Sequence, residues 1–468
     1  MLVALLVSPQ EPLASGYLDP AGKVEAQDEA VYSHAALRMA QRGEWLTPRF
    51  LGRYFLYKPP MVYWLSGAAA KISTRWLRVP AALAATGTCV ILFAWAGGGL
   101  AGMVAVLVAL SSGLFWELAR RNMTDMPLCF FVTFGLWAFD RRRWLWAPAM
   151  AVAAAILTKS TAGLIPLIVM GMLDWRRALR IGLAAGALAA PWFVYQLMAH
   201  TRWFWAEFVE IELLAWGIGA PPQTSEESAL VFYGLRMWRM APWLSLAALV
   251  ALGMAWRHRR EITVPLVWTA VMVVAILAFH YHNATYLLGL VPPLALLVVR
   301  LLPGWGALAL APALALTQWP GQAPSAAVID LVQHRRAELV VVSAGEQFHA
   351  TLLGPPPVRY AFPGDGQPPK GFALDFRRMG IVVTVDEFLE LDRHRPRFRQ
   401  ELRTWGLHDE EAVASVIAFG KPEDLRRLIA ARPGLDFIVP RQYQPHLADL
   451  GRPIRAGPAG DLLLPAVL

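Results

Sequence analysis

Apolar residues in this chain are gathered into long runs separated by short polar turns, and the character of the pattern changes twice. Residues 1 to 7 are apolar but far short of the roughly 20 needed to cross a bilayer. They carry no signal-peptide cleavage pattern, so they read as a truncated start or the stub of a first span. From Asp28 the periodicity is that of an amphipathic helix of about four turns, with Asp28 suited to N-cap it and Gly43 to end it. This helix is expected to lie on a membrane rather than through it. A second helix is expected to open at Pro59-Pro60, where proline suits the first turn, and to run toward Lys71.

After Arg78 apolar segments follow in series at 79 to 97, 100 to 118, 126 to 140, 145 to 160, 162 to 174, 181 to 199, 241 to 256, 262 to 280, 286 to 302 and 305 to 319. That predicts ten spans, or eleven with the stub. From about 320 the pattern changes again, to Pro- and Gly-rich punctuation between short β-branched runs. Strands are expected at Glu338 to Ser343, Gly380 to Val385 and Leu435 to Pro440, and helices at Asp386 to Trp405 and Glu423 to Ala431. The expected domains are therefore residues 1 to 320, a membrane bundle with a first outer loop at 9 to 77, and residues 321 to 468, a small soluble α/β domain.

Composition strengthens this picture. Of 468 residues 56% are hydrophobic and 16% charged, too apolar for a soluble globule of that length. A net charge of +9 would suggest nucleic acid in a soluble chain. Here much of the arginine sits in turns after every second span, at Arg141 to Arg143, Arg176 to Arg180 and Arg257 to Arg260, which the positive-inside rule places in the cytoplasm. Counting outward, residues 9 to 77, 119 to 125, 158 to 161, 200 to 240, 280 to 285 and the tail fall on the outer face. Cys89 and Cys129 lie inside apolar runs and imply neither a disulfide nor a zinc site.

The outer face by this count collects Asp28-Glu29, Lys58, the loop from Arg120 to Asp125, Lys159, the loop 200 to 240 with Glu207, Glu210 and Glu212, and the run His280 to Tyr286. Ionisable groups at membrane depth are functional candidates by default. Plainer readings stand beside them: Asp28 and Asp125 as helix caps, and Lys159 as a snorkelling side chain. His280 and His282 are two apart and do not share a helix face, so no metal site is read there.

The run Asp28-Glu29-Ala30-Val31-Tyr32, the Gly43-Glu44-Trp45-Leu46-Thr47-Pro48 that follows, and Lys58-Pro59-Pro60-Met61-Val62-Tyr63-Trp64 resemble the first outer loop of polyprenyl-phosphate-dependent glycosyltransferases. This is the C-type glycosyltransferase (GT-C) superfamily of the protein O-mannosyltransferases and the transferase that adds aminoarabinose to lipid A. The likeness continues through Arg78-Val79-Pro80, Arg121 to Leu128, Leu157-Thr158-Lys159 and Tyr286-Leu287-Leu288 with Pro292, in order, over roughly residues 1 to 300. It implies a membrane all-α polytopic bundle of the GT-C type with juxtamembrane helices in the first outer loop. By the same resemblance Asp28 is the catalytic carboxylate and Asp125 the second acid, while Lys58, Lys159 and Tyr286 contact the donor phosphate. Glu29, Arg121 and His282 are added as substrate-binding candidates. The chain departs from the pattern at Ser160-Thr161, where glycine-proline is common, and before Tyr286, where a basic residue gives way to His282 and Asn283.

The expected activity is transfer of a sugar from a polyprenyl-phosphate lipid to a glycan, lipid or protein acceptor at the outer face of the cytoplasmic membrane, with inversion. A protein O-mannosyltransferase acting on Ser or Thr is the same-class alternative, and a lipid flippase or transporter the alternative of another class. Asp28-Glu29 lacks the spaced acidic pair of metal-dependent relatives, so no metal is indicated, although a divalent ion stays open. The tail is expected to be accessory, for acceptor recognition or as a cover. No nucleic-acid partner is expected.

Overall fold

The structure, a computed structural model, describes residues 24–141, 145–216, 228–240, 245, 249, 263–279, 282–301, 337–342, 358–364, 379–456 and 461–467. The apolar runs 1–7 and 305–319, most of 241–256, the basic cluster 257–260, His280 and the expected domain boundary near 320 lie outside the described residues.

Helix α1 (Val24–Arg42) opens the described chain, and a β-hairpin follows, β1 (Arg49–Phe50) with β2 (Arg53–Tyr54), paired antiparallel. The helix begins earlier than expected, because Val24 to Gln27 include the good helix formers Glu25, Ala26 and Gln27. Asp28 is therefore in the helix and is not its N-cap. Gly43 ends it as expected, with φ +73° and its N–H on the Met39 carbonyl at 3.0 Å, a left-handed cap that glycine adopts without strain. Helix α2 (Met61–Ile72) starts behind Pro60, as the two prolines imply.

The bundle continues with α3 (Val79–Trp95), α4 (Gly99–Leu110), α5 (Gly113–Ala119), α6 (Asp125–Asp140), α7 (Trp146–Lys159), α8 (Ile165–Leu173) and α9 (Trp175–Ala199). Beyond a π-helical segment at Phe204–Trp216 come α10 (Ala229–Met240), α11 (Thr263–Ala278) and α12 (Val291–Leu301). Two apolar runs differ from simple spans. The run 100 to 118 bends by 81° between α4 and α5, a corner closed by the Trp116 indole N–H on the Leu110 carbonyl at 2.7 Å. The run Trp146–Leu173 is 28 residues of apolar helix, yet it doubles back. The Cβ position at Gly135 is 3.2 Å from Ala151 Cβ and 3.9 Å from Met170 Cε, residues that a straight helix would hold roughly 28 Å apart at 1.5 Å per residue. The turn is made at Ser160, where φ is +31°, and Gly163 packs so closely on α7 that a Cβ there would sit 2.4 Å from the Ala155 carbonyl carbon. The expected pair of short segments, 145 to 160 and 162 to 174, is therefore present as a helical hairpin.

Among the described residues four helical runs are, by length and composition, long and apolar enough to cross a membrane, the folded-back Trp146–Leu173 run among them, or five with the bent pair. With the apolar composition this makes the chain an integral membrane protein. Asp125, the Lys159 turn and the β-hairpin lie at one end of the bundle. Asp140 and Arg177 lie at the other, where the Arg177 guanidinium donates to the Phe139 carbonyl at 2.8 Å.

The C-terminal part forms a seven-stranded sheet from β3 (Leu339–Val342), β4 (Val358–Pro363), β5 (Val382–Thr384), β6 (Val416–Phe419), β7 (Asp436–Pro440), β8 (Arg455–Ala456) and β9 (Asp461–Leu464), in the order β5-β6-β4-β3-β7-β9-β8. The first five strands in that order are parallel and the last pairings antiparallel. All four residues of β3 are buried, as suits a central parallel strand, which reads as a continuous apolar run. The three expected strands are found within a residue or two, together with α13 (Val385–Leu389), α14 (Leu391–Thr404) and α15 (Pro422–Ala431). The single helix expected over 386 to 405 is two, broken at Glu390.

This sheet domain docks on α1 and the β-hairpin. Arg38 pairs with Glu411 at 3.2 Å, and Arg42 with Asp409 and, at 3.1 Å, with Glu411. The Tyr54 hydroxyl donates to the Gly406 carbonyl at 3.1 Å. At Gly52, with φ +77°, a Cβ would sit 2.5 Å from the Ala412 nitrogen, so glycine is needed for both its backbone angle and the close approach.

Candidate active site

A cavity of about 420 Å³ opens at the outer-loop end of the bundle. Its size is that of an ordinary small-molecule site. Its polar lining includes Asp28, Lys58, Asp125, Lys159, Glu212 and Tyr286, and its apolar lining includes Leu128, Val132, Ile165, Trp268, Met272 and Phe279. Five separate stretches of sequence supply the charges, which is why the docking of α1 and the hairpin against the bundle decides the site.

Each lysine has a carboxylate. Lys58, just before Pro59-Pro60 and α2, donates to both oxygens of Glu212 at 2.6 Å, and the Ser160 hydroxyl lies 3.1 Å from one of them. Lys159, the last residue of α7, holds Asp125, the first of α6, at 2.8 Å and lies 5.0 Å from the centre of the Tyr286 ring. Asp28 differs. Among the described residues, none forms a hydrogen bond or ion pair with its side chain. Burial pushes its carboxyl up to about 6, Lys58 and Lys159 pull it down, and Asp125 and Glu212 push it further up. Desolvation dominates, which leaves a carboxylate able to take a proton near neutral pH.

Some of the expected site residues stand elsewhere. Glu29 follows Asp28 on α1, and neighbouring helical residues do not share a face. Its fully buried carboxylate accepts from Arg78 at 2.7 and 3.1 Å and from the Asn122 backbone N–H at 2.9 Å. It ties α1 to the bundle and does not line the cavity. Arg121 does not line it either, and pairs with Glu117, four residues away on the same turn, at 3.0 Å. The His282 ring packs 5.3 Å from Phe232 and 5.6 Å from Tyr233, behind the cavity-lining Asn283. Asp28, Asp125, Lys58, Lys159 and Tyr286 do meet at the cavity.

The sequence reading named Glu212 only as one of several acids in the loop 200 to 240. In the π-helical segment hydrogen bonds run between residues five apart, which brings Glu207 and Glu212 toward one face. Glu207 accepts from the Leu56 N–H at 2.6 Å and pairs with Arg53 at 3.5 Å, and burial pushes it up to about 7. Acids spaced through the apolar run Phe204–Trp216 were the available signal, but the winding that selects among them is not visible in the sequence. Among the described residues no group of three or more His, Cys, Asp and Glu side chains is arranged to hold a metal ion.

No protein-family model matches the chain. It is 27% identical over 301 residues to an uncharacterized protein of Aquifex aeolicus, covering 59% of this chain and 59% of that protein. It is 25% identical over 307 residues to the undecaprenyl phosphate-alpha-4-amino-4-deoxy-L-arabinose arabinosyl transferase of Aeromonas salmonicida, covering 58% of this chain and 54% of the transferase. The chain thus spans a little over half the length of these curated relatives. Among solved structures it resembles ArnT from Cupriavidus metallidurans bound to undecaprenyl phosphate, with a TM-score of 0.63 at 15% identity over 100% of this chain and 97% of that one. The apo form gives 0.62 at 14% identity, over 94% and 93%. At that identity the likeness shows the fold: a GT-C bundle, as the sequence resemblance implied, with a small sheet domain at the C-terminus, as the pattern of the tail implied.

Proposed function

We propose that this chain, a membrane protein of the GT-C fold, transfers a glycosyl group from a polyprenyl-phosphate donor to an acceptor hydroxyl at the outer face of the cytoplasmic membrane. The observation that carries the proposal is a carboxylate, Asp28, that has no hydrogen-bond or ion-pair partner among the described residues and lines, with two lysines, a cavity that also has an extensive apolar lining. A lipid-linked sugar phosphate matches that division. Its phosphate calls for cations and its prenyl chain for an apolar surface, while the attacking hydroxyl needs a base. Undecaprenyl phosphate, the lipid in the similar ArnT structure, is the carrier we favour. Arg141 and the arginines at 176, 177 and 180, set at the opposite end from the cavity, support the outer-face orientation.

In the proposed reaction the acceptor oxygen attacks the anomeric carbon from the side away from the phosphate. The bond between that carbon and the phosphate oxygen breaks, and its electron pair stays on the phosphate, whose growing charge Lys58 and Lys159 stabilise. The hydroxyl proton passes to Asp28. A single displacement inverts the anomeric carbon and leaves the polyprenyl phosphate. Asp125 orients Lys159 through their ion pair.

The test is Asp28→Asn, which keeps shape and removes the base. Transfer from a labelled undecaprenyl-phosphate sugar in membranes containing the full chain should fall at least ~100-fold, the low end for a lost general base, while the protein folds normally. Transfer at the parental rate would remove Asp28 from the chemistry.

A further inference from the structure

We infer that Glu212 is a resident counter-ion of Lys58, which the donor phosphate must displace and which returns to help expel the phosphate product. The inference rests on the reading of Lys58 as a phosphate ligand. Both Glu212 oxygens take the Lys58 ammonium at 2.6 Å, so two of its three donors are occupied where a phosphate would need them. The Ser160 hydroxyl, aimed by a backbone turn at φ +31°, holds the same carboxylate at 3.1 Å. The Glu212 side chain is 8% exposed and that of Lys58 16%, so little water screens the pair. A phosphate on this ammonium would press its oxygens against the carboxylate at contact distance, and like charges so close with little water between them repel strongly.

The second lysine is arranged differently. Asp125 engages Lys159 through one oxygen at 2.8 Å. As the first residue of α6 it is held short and fixed, and it leaves two donors of the ammonium for a ligand. Glu212 has the longer side chain and a π-helical backbone beneath it, so it is the carboxylate able to move. Displacement also fits the charge change in the proposed reaction. The donor is a phosphodiester with one negative charge; the product is a phosphomonoester with about 1.5 to 2 at neutral pH. Two lysines alone would hold that product more tightly than the donor. A carboxylate that competes for Lys58 weakens the hold.

The experiment measures binding of undecaprenyl phosphate to the full chain in lipid nanodiscs, for the parent, Glu212→Gln, Lys58→Gln and the double variant. Glu212→Gln should bind at least ~10-fold more tightly, the scale of a lost charge-assisted hydrogen bond, and should turn over more slowly with stronger product inhibition. Lys58→Gln should bind more weakly, and in the double variant the gain from Glu212→Gln should vanish. If Glu212→Gln binds no more tightly while Lys58→Gln is weakened, Glu212 is not a competitor, although Lys58 remains a phosphate ligand. If Lys58→Gln binds as the parent does, the reading of Lys58 itself falls. Ser160→Ala, which removes one tether and leaves the ion pair, covers the case in which Glu212→Gln does not fold. It should tighten binding ~3-fold, within the range of one neutral hydrogen bond, and unchanged or weaker binding would count against the inference.

Discussion

At its cavity end helix α1 presents Asp28, half-buried and, among the described residues, without a hydrogen-bond or ion-pair partner. At its far end Arg38 and Arg42 meet Asp409 and Glu411 of the sheet domain in pairs that partly face solvent. At the seam every one of these charges has an opposite. At the cavity the lysines are partnered and one carboxylate is left over, held in its charged form at a cost in desolvation. Charge that joins surfaces is matched on the spot, and a surplus charge facing an open volume marks a site. Glu29 sharpens the contrast, since it adjoins Asp28 in sequence and is wholly matched.

The largest effect on stability should come from that matched neighbour. Glu29→Gln removes the buried carboxylate that takes two hydrogen bonds from Arg78 and should destabilise by about 3–5 kcal/mol, read as a lowered unfolding midpoint in detergent. An unchanged midpoint would mean that the pair does not anchor α1. Next comes Lys58→Gln, expected to weaken donor binding by about 1.5–3 kcal/mol, roughly tenfold or more, in protein that is still folded although the Glu212 carboxylate has lost its ammonium partner. If Lys58 merely snorkels to the interface, glutamine will serve as well. Gly52→Ala should loosen the seam by about 1–3 kcal/mol, the range for a strained backbone angle, and would show as faster proteolysis between the domains. Smallest is Arg38→Ala, whose pair is partly exposed and should contribute under about 1 kcal/mol. A greater loss would mean that the seam is held by charge more than by fit.

Much of this arrangement was legible beforehand. Asp28, Lys58, Asp125, Lys159 and Tyr286 stand out as polar residues in an apolar chain, and their order resembles one superfamily's motifs. What stayed hidden depended on rotation and winding. Nothing in Asp28-Glu29 says which carboxylate faces the cavity until the docking of α1 fixes its roll. The Ser160 turn and the π-helical Phe204–Trp216 segment are backbone choices made by packing, so Glu212 could not be picked from its neighbours. Arg121 was misplaced for a simpler reason: Glu117, four residues back, was already at pairing distance on a helix. In the tail, β4 and β6 were missed because Val358 to Pro363 follows three prolines and Val416 to Phe419 is only four residues long, whereas β3 and β7 announce themselves as continuous apolar runs.

The central claim is that Asp28 is the base, and its titration tests that most directly. The raised value, from 3.8 to about 6, means that the folded protein keeps the Asp28 proton between those limits while the unfolded chain has lost it. Stability from this group therefore declines as pH rises through that window and stays low above it, so Asp28→Asn should be no less stable than the parent at neutral pH. Activity runs the opposite way, because only the ionised carboxylate can accept the proton. The measurement is kcat/KM for transfer against pH in the parent and in Asp28→Asn. The account predicts an acid limb in the parent with a midpoint near 6, and a residual rate in the variant that lacks this limb. A parental rate that is flat from pH 5 to 7, or a limb that persists unaltered in Asp28→Asn, would contradict it.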